Sequence, residues 1–232
     1  MKPVRGENTA KQSEGRAGIK TGGEKLVVFD LDGTLNRTEL FALPAHRQVT
    51  EEFGGNRLEP EQIIALFGEN FLRCQDVFLP EATRAEYLRY LARLEELEMR
   101  YAKTLHGSFD GTGELLAKLW KEGYILAICS NTPLVYIDTV LHVLGIEKYF
   151  SARQGTVEKS TKAETLRLLL GKIPHQAAVM VGDTAYDMEA ARANGLGFIG
   201  CLYGYRPEGV AQADRTVKRP ADIYRAVKAL TG

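Results

Sequence analysis

The sequence predicts an α/β fold: a doubly wound, Rossmann-like parallel sheet with a small helical cap domain inserted near its start. Three observations carry this. Short apolar runs, each closing on a polar residue, recur at 25–30, 124–130 and 177–183, with a weaker run at 197–203. They are apolar at nearly every position instead of alternating, which suits strands buried on both faces of a parallel sheet. Helical patterns separate them, and strand–helix alternation at this spacing builds a doubly wound domain. The stretch 39–105 breaks that rhythm, with helical periodicity and no strong strand run.

Taken in order, residues 1–24 are rich in Gly, Lys, Glu, Ser and Thr, and bury too little apolar surface to offset ordering entropy. They are expected to form a disordered, mildly basic, solvated tail. Lys25-Leu-Val-Val-Phe-Asp30 reads as the first strand. Helices are expected over 38–53, 60–72 and 81–103, the last with Tyr87, Leu88, Leu91, Leu94, Leu97 and Tyr101 at helical intervals. The run Arg93, Glu95, Glu96, Glu98, Arg100 reads as its solvated face. The segment 39–105 is therefore assigned to the cap, and 25–38 with 106–232 to the core domain.

Beyond the cap, 111–122 carries Leu115, Leu116, Leu119 and Trp120 on one side, with Trp120 expected in the core. A helix over 133–144 opens on a proline, suited to a first turn. Thr161-x-x-Glu164 is a capping box that opens a helix over 161–170. Residues 187–194 read as another helix, stopped by Gly195.

Composition narrows the function. Lys plus Arg number 30 and Asp plus Glu number 30, so no net field gathers nucleic acid or anionic membrane. Three widely spaced cysteines, with no CxxC, argue against a disulfide framework or zinc site and fit a reducing compartment. Cys129 reads as a buried small hydrophobe. The absence of a long apolar stretch or apolar leader makes a cytoplasmic location the expectation. The four histidines show no metal-ligand spacing.

In open α/β sheets, ligands bind beyond the carboxyl ends of the strands. Three of the strands expected here end at Asp30, Ser130 and Asp183, which parallel packing would bring to one edge. Asp30-Leu-Asp-Gly-Thr34 sets two carboxylates one residue apart before a turn glycine. Asp183-Thr-Ala-Tyr-Asp187 adds a second acidic pair. Either could be a plain acidic turn or a helix cap. Together they form a hard-oxygen site suited to Mg²⁺. A carboxylate nucleophile meets a phosphate dianion with repulsion of roughly 4 kcal/mol per charge pair at 4 Å and an effective dielectric of 20. A divalent cation removes that penalty. Lys162 falls in a first helical turn, where the dipole disfavours a cation, so an anionic site is a reason for it to be there; Lys159 is its competitor. Ser130 can donate to a phosphoryl oxygen.

These residues, in this order, resemble the haloacid dehalogenase superfamily in its phosphatase branch. Val27–Leu35 is similar to the first motif, Ile128-Cys-Ser-Asn131 to the second, Lys162 to the third and Val181–Asp187 to the fourth. The resemblance implies that Asp30 is the nucleophile, forming an aspartyl-phosphate, and that Asp32 is the general acid–base. It implies Mg²⁺ on the Asp30 carboxylate, the Asp32 backbone carbonyl and Asp183, with Asp187 assisting. It implies phosphate binding by Ser130, Lys162 and the Asn131 backbone, and a type-one cap between the first two motifs. The presence of Asp32 argues against dehalogenation. Leu202-Tyr-Gly-Tyr205 resembles the phosphoglycolate phosphatase-like subgroup, whereas Arg37 stands where many relatives carry an acid. The implied partner is a small phosphorylated metabolite, with monomer and homodimer both open. A phosphomutase, a pyrophosphatase and an idle binding protein on the same scaffold are the alternatives. Gly68 and Glu69 lie in a stretch where a specificity loop would fall.

Overall fold

The computed structural model describes residues 24–67, 71–157 and 160–232. All but the last residue of the expected tail, and Gly68, Glu69 and Lys159, lie outside them. Six parallel strands form one sheet in the order β3-β2-β1-β4-β5-β6. They are β1 (Lys25–Phe29), β2 (Ile125–Cys129), β3 (Phe150–Gln154), β4 (Ala177–Gly182), β5 (Gly197–Cys201) and β6 (Arg215–Val217). The chain moves outward from β1 to β3, then returns to β4 on the other side of β1. The strand order thus reverses between β1 and β4, and a crevice opens there at the carboxyl edge.

Strand side chains alternate between faces. Val27, Phe29, Ile128, Val179 and Val181 pack in one layer against α5 (Thr112–Lys121), α6 (Leu134–Val143) and α9 (Pro220–Thr231). Leu26, Val28, Ala127 and Met180 enter the other layer, under α7 (Lys162–Leu170) and α8 (Ala185–Ala193). Full burial of each of the larger side chains here contributes about 1.5–3 kcal/mol. Cys129 is fully buried, as its apolar run predicts.

Between β1 and α5 run α1 (Glu39–Glu52), α2 (Pro60–Ile64), α3 (Phe71–Phe78) and α4 (Arg84–Ala102). They share a separate core of Ala45, Val49, Ile63, Phe78, Tyr87, Tyr90, Leu94 and Leu97. Thr83 caps α4 through a reciprocal capping box with Glu86.

Several expectations need correction. The single helix expected over 60–72 is two: α2 ends at Ile64 and α3 starts at Phe71. Trp120 is 58% exposed, because Leu115, Leu116 and Leu119 take the inward arc and residue 120 turns past it. Leu88 is exposed for the same reason. Pro133 is the extended residue before α6 and not in its first turn. Helix α8 starts at Ala185, two residues earlier than read, since Thr184 caps it. Strands β3 and β6 and helix α9 were not foreseen: β3 reads Phe-Ser-Ala-Arg-Gln, too polar to announce an edge strand.

Candidate active site

Four loops at the carboxyl edge of the sheet meet at the β1/β4 crevice. Asp30 follows β1, and its backbone N–H donates to Val181 O of β4 at 2.9 Å, which fixes its level beside Asp183. Asp30, Asp183 and Asp187 are all buried, and one carboxylate oxygen from each lies within 4.8 Å of the others. Lys162, at the start of α7, donates to Asp30 Oδ1 at 2.6 Å and ion-pairs with Asp187 Oδ1. Thr34 Oγ1 lies 3.4 Å from Asp30 Oδ2 and from Asp183 Oδ1.

Local sequence explains the arrangement. Gly33 turns the chain after Asp32 with φ +80°, and a Cβ there would lie 2.3 Å from Asp183 Oδ2. Only glycine tolerates both the backbone and the approach. Gly204 is as tight, with a Cβ position 2.2 Å from Asp183 Cβ, and it lets the Tyr205 N–H donate to Asp183 Oδ2 at 2.8 Å. Asp187 is the third helical residue of α8; its Oδ2 accepts from the Thr184 N–H at 3.0 Å and Thr184 Oγ1 at 2.7 Å. The helix-cap reading of the second acidic pair therefore holds for one oxygen of Asp187, while the other faces Lys162.

Electrostatics follow from burial. Burial pushes the Asp30 carboxyl well above its usual range, Lys162 pulls it back, and Asp187 and Asp183 add to the rise. Asp183 is pushed up to about 7, by burial first and then by Asp187. Burial alone would lower the Lys162 ammonium, yet Asp187 and Asp30 hold it above the ordinary lysine range. Were all three carboxylates ionised against the one ammonium, the buried site would carry a formal charge of −2, which is why Asp30 and Asp183 resist ionisation. Uncompensated buried charge is costly, and a hard divalent cation restores balance with the ligand type it prefers. The donor set fits such an ion.

Asp32 stands apart from this cluster. Its Oδ1 accepts from Thr38 Oγ1 at 2.6 Å, Tyr136 OH at 2.7 Å and Asn36 Nδ2 at 2.9 Å. Its Oδ2 has no hydrogen-bond partner among the described residues. Ser130 is buried, with Oγ 3.0 Å from Thr132 Oγ1, and Asn131 is exposed beside it. Asp30, Asp32, Ser130, Asn131, Lys162 and Asp183 line one pocket of about 190 Å³, with Thr132, Thr184, Tyr186, Tyr205 and Phe67. A larger cavity of about 620 Å³ lies among the inserted helices by Arg47, Asn56 and Phe78, and none of these acids lines it.

Phe67 reaches the site from the helical insert and meets Tyr205 edge-on, ring centroids 5.1 Å apart. The Tyr205 hydroxyl donates to Glu39 Oε2 at 2.5 Å and accepts from the Glu39 N–H at 3.1 Å. Arg37 is paired with Glu39 at 2.8 Å. Glu98 does not belong to a solvated face: it is only 22% exposed, lies 3.8 Å from His46, and burial followed by the Asp32 charge pushes its carboxyl up to about 8. Sequence reasoning gave no site role to Thr34, Asn36, Thr38, Tyr136 or Tyr205, although Thr34 and Tyr205 lie in motifs it singled out. Thr184-x-x-Asp187 carries a capping signal that would have placed the start of α8.

A Rossmann-like sheet gathers paired acids, a lysine and a serine at its carboxyl edge, a donor set that suits an anion and a hard cation. The chain belongs to the haloacid dehalogenase-like hydrolase family, whose model matches residues 27–201, and it is an enzyme of the phosphatase branch. It is 33% identical over 213 residues to phosphoglycolate phosphatase from Pectobacterium atrosepticum, covering 85% of this chain and 89% of that one. It is 26% identical over 217 residues to pyrophosphatase PpaX from Listeria innocua, covering 90% and 98%. In fold it is similar to a predicted phosphoglycolate phosphatase from Haemophilus somnus, with TM-score 0.80, 21% identity and coverage of 89% and 99%. Among the described residues, no helix is long and apolar enough to cross a membrane.

Proposed function

We propose that the protein is a Mg²⁺-dependent phosphomonoesterase that hydrolyses a small phosphorylated metabolite, phosphoglycolate-like or a sugar phosphate, through an aspartyl-phosphate on Asp30. The observation that carries this reading is the division of labour between two aspartates. Asp30 is buried in the acid–lysine cluster, whereas Asp32 lines the same pocket outside it with Oδ2 free among the described residues.

A carboxylate oxygen of Asp30 attacks phosphorus, and the bond from phosphorus to the leaving oxygen breaks. Asp32, protonated, gives its proton to that oxygen. Asp32 then takes a proton from water as the water oxygen attacks phosphorus, and the bond to Asp30 breaks to release phosphate. Ser130, the Asn131 backbone and Lys162 hold the phosphoryl oxygens. Asp30, Asp183 and the Asp32 backbone carbonyl would hold Mg²⁺, with Asp187 beside them; when bound, the ion offsets the repulsion between carboxylate and phosphate. The segment 39–105 acts as a cap over the core formed by 25–38 and 106–232, and among the described residues Phe67 is its contribution to the pocket.

The pocket favours a monoester over pyrophosphate. Among the described residues lining it, Lys162 is the one cation, and it already serves Asp30 and Asp187. Among the described residues, a second phosphate would find no further basic partner there. A volume of about 190 Å³ suits a small leaving group beside Phe67 and Tyr205.

The test is phosphate release from a panel of phosphorylated metabolites and pyrophosphate, with Mg²⁺, without it, and with Asp30→Asn. Metal-dependent release from a few small monoesters, lost in the variant, is expected. Sugar-phosphate isomerisation without release would identify a phosphomutase instead. Silence in both assays would identify an idle binding protein.

A further inference from the structure

We infer that Tyr136 is a positioning residue for Asp32, holding it ready to donate its proton and stabilising the carboxylate that donation leaves; this rests on the proton-donor reading of Asp32. Tyr136 lies in the first turn of α6, beyond the loop that carries Ser130 and Asn131. The residue is buried, 8% exposed, and its ring tilts against Phe41 of α1, centroids 6.2 Å apart. Phenylalanine would fill that space equally well. The hydroxyl is what the apolar packing does not explain, and it is spent on Asp32 Oδ1 at 2.7 Å.

With Thr38 and Asn36, Tyr136 fastens one oxygen of Asp32 from three directions. The side chain then has no freedom to turn, and the remaining oxygen is the one available for proton chemistry. As the proton leaves, negative charge grows on the carboxylate. Hydrogen bonds to a charged acceptor are stronger than those to a neutral one, so all three tighten in the transition state. Preorganised donors of this kind act on the chemical step more than on binding. The burden is greatest for a leaving group that cannot depart as an anion.

That dependence gives the test. Tyr136→Phe keeps the ring and removes only the hydroxyl. Steady-state kinetics are measured for wild type and Tyr136→Phe on 4-nitrophenyl phosphate, whose leaving group needs little protonation, and on the best alkyl monoester of the panel. The expected result is a fall of about tenfold in kcat/KM on the alkyl monoester and less than about twofold on 4-nitrophenyl phosphate, the difference expected of general acid help. Equal losses on the two substrates, or no loss on either, would overturn the positioning role while the wild-type rates uphold the phosphatase reading. Wild-type inactivity on every monoester would overturn that reading instead, and this inference with it.

Discussion

Lys162 Nζ lies 2.6 Å from Asp30 Oδ1, although 132 positions separate the two residues in the chain. The lysine opens α7, the helix end least hospitable to a cation. Asp30 and Asp187 reverse that preference, and they do so because β1, α7 and α8 converge at one edge of the sheet.

Replacing Lys162 with Met leaves Asp30 and Asp187 facing each other without their shared counter-ion. Breaking a buried ion pair from one side costs on the order of 3 kcal/mol. Urea unfolding in the presence of a chelator should show that loss. Catalysis should also fall, with KM for the substrate raised, if the ammonium holds phosphoryl oxygens as proposed. An unchanged KM would remove Lys162 from the phosphate site.

Asp30→Asn should stop phosphate release while the fold persists, since the amide keeps the shape and removes the proposed nucleophile. Mass analysis of acid-quenched enzyme should find a phosphoryl group on the wild type during turnover and none on the variant. Residual turnover at the wild-type rate would move the nucleophile elsewhere.

On the proposed reading Mg²⁺ would bind the folded site, and it should then raise the melting temperature by offsetting the charge of the three carboxylates. At about one hundred times the dissociation constant the gain is about 2.7 kcal/mol. Asp183→Asn should abolish most of that shift. Thermal melts with and without chelator decide it, independently of any substrate.

Gly33→Ala should damage both stability and metal binding. The new Cβ would lie 2.3 Å from Asp183 Oδ2 at a backbone φ of +80°. Positive φ alone costs a side chain roughly 1–2 kcal/mol, and the contact adds to it. Calorimetric Mg²⁺ titration of the variant should show weakened affinity.

His46 makes the inserted helices sensitive to acid. Burial lowers its imidazole to about 4 from an ordinary 6.5, so the folded form stays neutral where the unfolded chain takes a proton. Its contribution is fully present above pH 6.5 and is lost as pH falls towards 4, for a total of about 3 kcal/mol. Glu98, held up at about 8, acts in the opposite sense: its folded carboxyl resists ionisation, so stability falls as pH rises from about 4.5 to 8. Single variants separate the two. The stability difference between wild type and His46→Phe should grow in favour of wild type from pH 4 to 6.5. Glu98→Gln should gain on wild type from pH 4.5 to 8. Flat differences would mean that neither group titrates abnormally.

The central strands and the acids that follow them were legible because their signals are local. Lys25–Asp30 and Ala177–Asp183 announce two-faced burial by composition alone, and each acid sits one residue beyond its strand. The Thr161-x-x-Glu164 box likewise fixes the start of α7, and with it the position of Lys162, from four residues. The edge strand β3 escaped because its sequence answers to solvent and to its single neighbour β2 as well as to the core. Trp120 and Glu98 were misplaced for a related reason: periodicity gives a face, but only packing says what lies against it.

By itself, the sequence determined the sheet class, the nucleophile candidate, the paired acids and the lysine, because each is set by neighbours in the chain. Tertiary structure alone decided how those groups divide: Asp30, Asp183 and Asp187 gather on Lys162, while Asp32 is drawn aside by Asn36, Thr38 and Tyr136. Hydrogen bonds across 104 positions, as between Tyr136 and Asp32, leave no periodic trace, for they depend on where the sheet order brings α6 against the turn after β1.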